Sequence, residues 1–202
     1  MNKRILFTAG FILTATVAIV AYGAVTTQTL VGTGADGGSG DQAWTNPGNI
    51  TADDTNQATN LNLGTGDSTN FLHGTMGANQ FTIPAGTIDG IEFEYKVRAN
   101  NSNDMIEDNV FLIIGGTRTG TDKADGNNYS STATVHNIGG VADLWGTTPS
   151  VGQVNATNFG VALKVTDDGS GSGDDVWVYY MKITVTYTPS GGSATNQTRM
   201  IL

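Results

Sequence analysis

The clearest structural signal in the chain is the stretch IDGIEFEYKVRA, residues 88–99. From residue 91 onward, apolar side chains occupy the odd positions and charged side chains occupy the even positions. This period of two is typical of a β-strand that has one buried face and one solvated face. We therefore predict a long strand here, in a sheet that covers a hydrophobic core on one side.

Three later stretches predict further strands. Residues 159–166 alternate cleanly, and residues 106–114 become apolar on both faces, which favours a central strand covered on both sides. In residues 176–188 the odd positions are predicted to form one apolar face that starts at Trp177 and includes Tyr179, Met181 and Ile183. That assignment places Trp177 in the core.

Composition agrees with a chain of strands and tight turns. The 202 residues include 28 glycines and no cysteine, so a disulfide framework and a thiolate metal site are both excluded. Glycine-rich turn signals separate about eight strand-like segments. We predict an all-β fold, an antiparallel two-sheet sandwich of the jelly-roll type, after an N-terminal signal helix.

The charge of the chain limits its partners. Nine basic and 18 acidic residues give a formal net charge of −9. Such a surface repels nucleic acid and anionic lipid, so neither is an expected partner. Membrane association is expected only through an uncleaved signal segment.

The first 23 residues have the pattern of a signal peptide. Lys3 and Arg4 precede an apolar run over residues 5–20, and Ala21 and Gly23 supply small residues before a cleavage site. An uncleaved membrane anchor is the alternative, because the apolar run nearly spans a bilayer. Either way, the sequence predicts a secreted or cell-surface protein.

The remaining chain divides into three predicted parts. Residues 24–43 are a β-prone strand and a flexible, Gly-rich linker, residues 44–188 are the sandwich domain, and residues 189–202 are a polar tail. A free strand on a glycine tether can complete its own sheet or the open edge of a neighbouring subunit. The side chains that would set the register of such self-assembly are Val25, Thr27, Thr29 and Val31.

Several motifs occur in a familiar order, and they carry a family resemblance. They are WTNPGNITADD, FTIPAGTIDGIEFEYKV, GGVADLWG, NFGVALKV and DDVWVYYMKITVTY. Together they resemble a jelly-roll β-sandwich domain found in secreted bacterial and archaeal surface proteins and in phage structural proteins. The resemblance covers nearly the whole mature chain. It implies a structural or adhesive module, and it brings no catalytic residues with it.

Acidic residues at both ends of the loop DDGSGSGDD are the candidate metal ligands. Asp167, Asp168, Asp174 and Asp175 flank the glycine-rich stretch, and Ca²⁺ prefers carboxylate, carbonyl and water oxygens in such turns. The stretch is predicted to be a surface hairpin loop. The alternative is that the four aspartates are solvated charges of a surface loop and that the protein has no cofactor.

Aromatic residues supply a second candidate site. Tyr129 and Tyr180 are the predicted exposed rings, available to stack on a glycan, whereas Trp145 and Trp177 are assigned to the core. His73 and His136 are the only histidines.

No catalytic site is predicted. The two histidines share no ligand spacing, and no Gly-x-Ser-x-Gly turn is present to hold a nucleophile. The predicted function is therefore non-catalytic: a secreted structural subunit of a filament or surface layer that self-associates by donating its N-terminal strand. The alternative is a carbohydrate-binding or adhesive module, with or without dependence on calcium.

Overall fold

The computed structural model describes residues 23–101, 104–169 and 173–191, which form two antiparallel sheets packed face to face. The predicted signal peptide, apart from Gly23, and most of the polar tail lie outside the described residues. The strands are β1 (Val25–Leu30), β2 (Thr33–Asp36), β3 (Ala58–Leu63), β4 (Leu72–Thr75), β5 (Gly86–Ala99), β6 (Met105–Ile114), β7 (Thr117–Thr119), β8 (Thr134–Gly140), β9 (Gly160–Asp167) and β10 (Asp174–Pro189). The prediction of an all-β sandwich is confirmed.

Helical structure in the described residues is limited to short pieces. Two 3₁₀ turns cover Pro47–Thr51 and Gly77–Asn79, and α1 (Val151–Val154) is a single turn. Ser150 caps α1, with its side chain accepting from the N–H of Gln153. Within the described ranges, no helix has the length and apolar character needed to cross a membrane.

The strands are arranged as in a jelly roll. Sheet A has the order β1-β10-β5-β8, with β3 also beside β10, and sheet B has the order β2-β4-β9-β6-β7. Every connection except the β6–β7 hairpin passes from one sheet to the other. Because consecutive strands alternate between sheets, neither sheet forms without the other, and their inner faces enclose one core.

Strand β5 confirms the alternation read from the sequence. Its inward residues Ile91, Phe93, Tyr95 and Val97 are fully buried, and they meet apolar residues of sheet B across the core. The main contributions from sheet B are Leu72, Val110, Leu112, Val161, Leu163 and Val165. Burial of each large apolar side chain contributes about 1.5–3 kcal/mol, which is the main source of stability in a chain without disulfides.

Trp145 closes the core beside β5 and β8, as predicted. Its indole N–H donates to the carbonyl oxygen of Ile91 at 2.9 Å, so its one polar atom is satisfied while the ring is fully buried. Gly139 lies against this ring with φ at +83°, and a Cβ there would lie 2.3 Å from the Ile91 oxygen. Only glycine allows this close approach.

A β-bulge in β10 overturns the prediction for Trp177. The pairing of β10 with β5 shifts register between Val178 and Tyr180, so one extra residue is inserted. Val178 is fully buried, and Trp177 lies half-buried on the outer face. Because the bulge reverses the alternation, Met181 faces the core as predicted but Trp177 does not.

Two predicted loops are also different in the structure. The stretch from Asp167 to Asp174 is not a hairpin, because β9 belongs to sheet B and β10 to sheet A. The Gly-rich stretch after β1 is not a simple flexible linker, because residues Thr33–Asp36 form β2 and pair with β4. In both places the sequence marks turn residues correctly but cannot show which strands they connect.

Replacing Val178 and Trp177 separately by threonine tests the bulge. We expect Val178→Thr to lower the free energy of unfolding by about 1–3 kcal/mol, because it buries a hydroxyl in the core. Trp177→Thr should cost about 1 kcal/mol or less, because that side chain is on the outer face. Urea denaturation of both variants measures the difference, and the reverse ranking would contradict the placement of the bulge.

Candidate functional site

The bulge in β10 produces an aromatic surface on the outer face of sheet A. Trp177, Tyr179 and Tyr180 all lie on this face, since the extra residue turns two consecutive tyrosines outward. Lys96 and Arg98 of β5 stand beside them, in register with Tyr180 and Trp177. We call these five residues the aromatic platform.

Cationic side chains are packed against the rings of the platform. The Arg98 guanidinium lies 3.7 Å from the centre of the Trp177 ring, and its Nε donates to the hydroxyl of Tyr179 at 3.0 Å. The Lys96 ammonium lies 5.2 Å from the centre of the Tyr179 ring. Such cation–π contacts contribute about 0.5–1 kcal/mol each at exposed sites, and they hold the rings in fixed orientations.

Tyr180 is tied to the sheet through its hydroxyl, which donates to Glu94 at 2.7 Å. Lys182 forms an ion pair with the same carboxylate, also at 2.7 Å. Burial raises the pKa of Glu94, but the hydrogen bonds from Lys182 and Tyr180 outweigh it and hold that pKa below its ordinary value. Glu94 is therefore ionised at neutral pH and forms an ion pair with Lys182 at this edge of the platform.

The basic residues of the described chain concentrate at two aromatic surfaces. Six lysines and arginines fall within the described ranges, and three of them, Lys96, Arg98 and Lys182, lie on the outer face of sheet A. Two more, Arg118 and Lys164, cover Phe71 on the outer face of sheet B. In an acidic protein, this places hydrogen-bond donors beside aromatic rings on both outer faces.

The second aromatic surface lies beside a pocket of about 320 Å³. The Arg118 guanidinium stacks on Phe71 at 4.0 Å, and His73 and Arg118 line the pocket with Gly37, Gly116 and Thr117. One nitrogen each of His73 and Arg118 is buried without a hydrogen-bond partner among the described residues. Burial, followed by the charge of Arg118, lowers the pKa of His73, so the pocket holds a neutral imidazole beside a cation.

A buried polar cluster lies inside the sandwich, below the platform. Glu107 accepts hydrogen bonds from the hydroxyl of Tyr95 and from the backbone N–H of Asp125, and the Tyr95 and Tyr129 hydroxyls are 3.1 Å apart. The ring of His136 stacks on Tyr95, with 5.3 Å between centres. Burial raises the pKa of Glu107 to about 7, although the hydrogen bonds from Tyr95 and Asp125 oppose the shift.

The two tyrosines that the sequence predicts to be exposed have different positions in the structure. Tyr129 is fully buried in the cluster around Glu107, so the prediction of an exposed ring is wrong there. Tyr180 faces outward but is only 6% exposed, because Glu94 and its neighbours cover it. Trp177 and Tyr179, which the odd-position pattern assigned to the core, are half-buried rings on this outer face.

The four predicted metal-binding aspartates do not point to one place. Asp167 and Asp174 are buried, whereas Asp168 is exposed and Asp175 accepts a hydrogen bond from the N–H of Asn62. Adjacent residues of a strand point to opposite sides, so only one of each pair can face a given site. Among the described residues, no three His, Cys, Asp or Glu side chains form a group that could hold a metal ion.

The predicted self-assembly residues lie in and after β1, at the edge of sheet A. Val25, Thr27 and Thr29 pair with residues of β10 in the same chain, and Val31 is fully buried in the core. Whether β1 also pairs with another subunit remains a prediction. In the described chain it completes its own sheet.

The two histidines lie on different sheets. His73 belongs to β4 in sheet B, and His136 belongs to β8 in sheet A. Each is packed against aromatic rings, His73 near Phe71 and His136 against Tyr95.

Comparison with known proteins gives structural likenesses of low similarity. No protein-family model and no curated protein sequence matches the chain. A xylan-binding module, CBM15, has a TM-score of 0.39 and 13% identity over 84% of this chain and 100% of that one. The N-terminal cellulose-binding domain of β-1,4-glucanase C from Cellulomonas fimi has a TM-score of 0.31 and 11% identity over 82% and 90%. A cyanophage Pam1 capsid chain has a TM-score of 0.28 and 17% identity over 69% and 90%. At these TM-scores no function transfers to this chain.

Replacing Glu107 by glutamine tests the buried cluster. Because burial raises the pKa of Glu107, the folded state binds its proton more tightly than the unfolded state does. The stabilisation from this group is therefore present below pH 4.5 and is lost as the pH rises through about 7. Relative to Glu107→Gln, the wild type should lose about 3 kcal/mol of unfolding free energy between pH 4 and pH 8. Urea denaturation across that range measures it, and parallel pH profiles would contradict the assignment.

Proposed function

We propose that this chain is an exported, non-catalytic binding module that holds a glycan on the aromatic platform. One observation carries the proposal: the bulge in β10 turns Trp177 and Tyr179 onto the outer face of sheet A, where Lys96 and Arg98 stand beside them. Trp and Tyr are enriched at binding interfaces, where one end of the side chain is apolar and the other is solvated.

The chemistry of the platform suits a sugar chain. Aromatic rings pack against the apolar C–H faces of sugar rings, and charged side chains donate to or accept from the hydroxyl groups around them. The platform presents the half-buried rings of Trp177 and Tyr179, with Arg98 over one ring and Lys96, which also pairs with Asp53, over the other. A surface of this kind fits an extended chain better than a small molecule, which needs a concave pocket.

The predicted signal peptide and the positions of the titratable residues support the same proposal. The predicted signal peptide would carry the protein outside the cell, where polysaccharides are abundant. Within residues 23–101, 104–169 and 173–191, Glu107 is enclosed with Tyr95 and Tyr129, and the two histidines are on separate sheets. Binding rather than turnover is therefore the proposed activity.

Binding to the platform is tested with Trp177→Ala. We expect wild-type protein to be retarded in native gels that contain one polysaccharide of a panel (xylan, cellulose derivatives, chitosan or alginate), and Trp177→Ala to lose most of that retardation. Loss of one stacking ring should weaken binding by about 5- to 150-fold, by analogy with the 1–3 kcal/mol of a base–aromatic stack.

The matched control is Thr184→Ala, on the same outer face of β10 but away from the rings. It should bind as the wild type does. Equal retardation of wild type and Trp177→Ala on every polysaccharide, or no retardation at all, would contradict the proposal.

Self-assembly by strand exchange is a second candidate, and the position of β1 favours it. Strand β1 pairs only with the Lys182–Tyr187 part of β10, and β3 occupies the rest of that edge. The exposed fraction of Val25 is 41%, so little side-chain burial holds the strand in place. If β1 were donated to a neighbour, main-chain hydrogen bonds would supply the strength and alternate side chains the register.

Strand exchange is tested by deleting residues 24–30, which spares the buried Val31. We expect the full mature chain to form ordered polymers, and the truncated chain to remain a folded monomer with an open edge on β10. A peptide of residues 24–30 should bind that monomer and raise its melting temperature, whereas the same peptide with Thr27→Pro should not. Electron microscopy and light scattering measure assembly, and polymers formed by the truncated chain would contradict strand exchange.

A further inference from the structure

One end of the sandwich brings two buried carboxylates together. Asp167 ends β9 and pairs with Met105, while Asp174 begins β10 and pairs with Leu63. The turn after β3 links the two positions, because the N–H of Gly66 donates to the Asp167 carbonyl and the N–H of Gly173 donates to the Leu63 carbonyl. Neither side chain takes part in the aromatic platform or in β1.

Both carboxylates are buried, and a side-chain hydrogen bond with Asn100 offsets part of the effect of burial on Asp174. Asp167 is fully buried and Asp174 is 6% exposed, and the Oδ2 atom of each has no hydrogen-bond partner among the described residues. The other oxygen of Asp167 accepts from the N–H of Gly169 at 3.0 Å. None of the ion pairs found in the described ranges includes either residue.

The surroundings add negative charge. Besides burial, the charges of Asp167, Asp104 and Asp175 all raise the pKa of Asp174. Two buried carboxylates with free oxygens and further acidic neighbours are costly unless a positive charge is shared between them. A bound cation removes this cost, and the buried free oxygens are the atoms that it would contact.

We propose that Asp167 and Asp174 bind one Ca²⁺ ion at this end of the sandwich. The donors are all oxygen, and Ca²⁺ accepts irregular sets of carboxylates, main-chain carbonyls and waters, whereas Mg²⁺ demands near-octahedral geometry. Two carboxylates supply the charge, and water and main-chain oxygens complete the coordination. The ion joins the end of β9 in sheet B to the start of β10 in sheet A.

Of the four aspartates predicted as metal ligands, Asp167 and Asp174 belong to this site. Asp168 is exposed, and Asp175 has no buried oxygen left without a partner, so neither belongs to the proposed pair of ligands. Both remain useful as controls, because they carry the same charge a single residue away. The site is independent of glycan binding and of strand exchange.

Thermal unfolding of the full mature chain tests the site. After removal of metals with a chelator, we expect saturating CaCl₂ at pH 7 to raise the melting temperature by about 5–10 °C, and equal MgCl₂ to raise it much less. Calorimetric titration should give one Ca²⁺ per chain. No calcium-dependent rise in the wild type would overturn the proposal.

Two substitutions distinguish this site from general charge screening. Asp174→Asn should abolish the calcium-dependent rise while leaving the metal-free melting temperature equal or higher, because it relieves the repulsion with Asp167. Asp168→Asn should keep the full rise. If Asp174→Asn still responds to calcium, or if both variants lose the response equally, the site is not the one proposed.

Discussion

The pairing of β10 with β5 is the constraint on which the rest of the structure depends. These are the two longest strands, they pair along nearly their whole length, and both contribute one face to the core. The other edge of β10 carries both β3 and β1. Any change of register between β5 and β10 would therefore alter the core, the outer face and the position of the N-terminal strand together.

A single inserted residue within this pairing produces the candidate site. At the bulge, Val178 stays in the core while Tyr179 and Tyr180 both turn outward, and Trp177 joins them. The protein keeps its buried alternation on each side of the bulge and gains an aromatic surface between them. Bulges of this kind commonly re-aim side chains next to functional sites.

Much of the fold could be predicted from the sequence, because alternation is a local property. Strand β5 and its buried residues, the burial of Trp145 and the two-sheet sandwich could all be predicted from the alternation of apolar and polar side chains and from turn residues. The bulge was missed, although a signal for it was present. Val176 and Val178 are apolar at even positions, whereas Lys182 and Thr184 are polar at even positions, so the phase must change between them.

The parts that could not be predicted depend on contacts between distant segments. Nothing local in Asn128-Tyr129-Ser130 shows that Tyr129 enters the core to meet Tyr95 and Glu107. Likewise, the loop after Asp167 looks like a hairpin until the sheets are known to alternate. In both cases tertiary packing decides the outcome, and local sequence carries no record of it.

The most direct measurement of the central claim is the indole N–H spectrum of the protein during titration with xylohexaose, cellohexaose, chitohexaose and an alginate oligomer. The chain has three tryptophans, and the indoles of Trp44 and Trp145 are buried and bonded to backbone carbonyls. We expect one of the oligosaccharides to shift the Trp177 resonance alone, with the other two as internal references. No shift of the Trp177 resonance with any of them, or a response confined to residues around Phe71 and Arg118, would contradict the account.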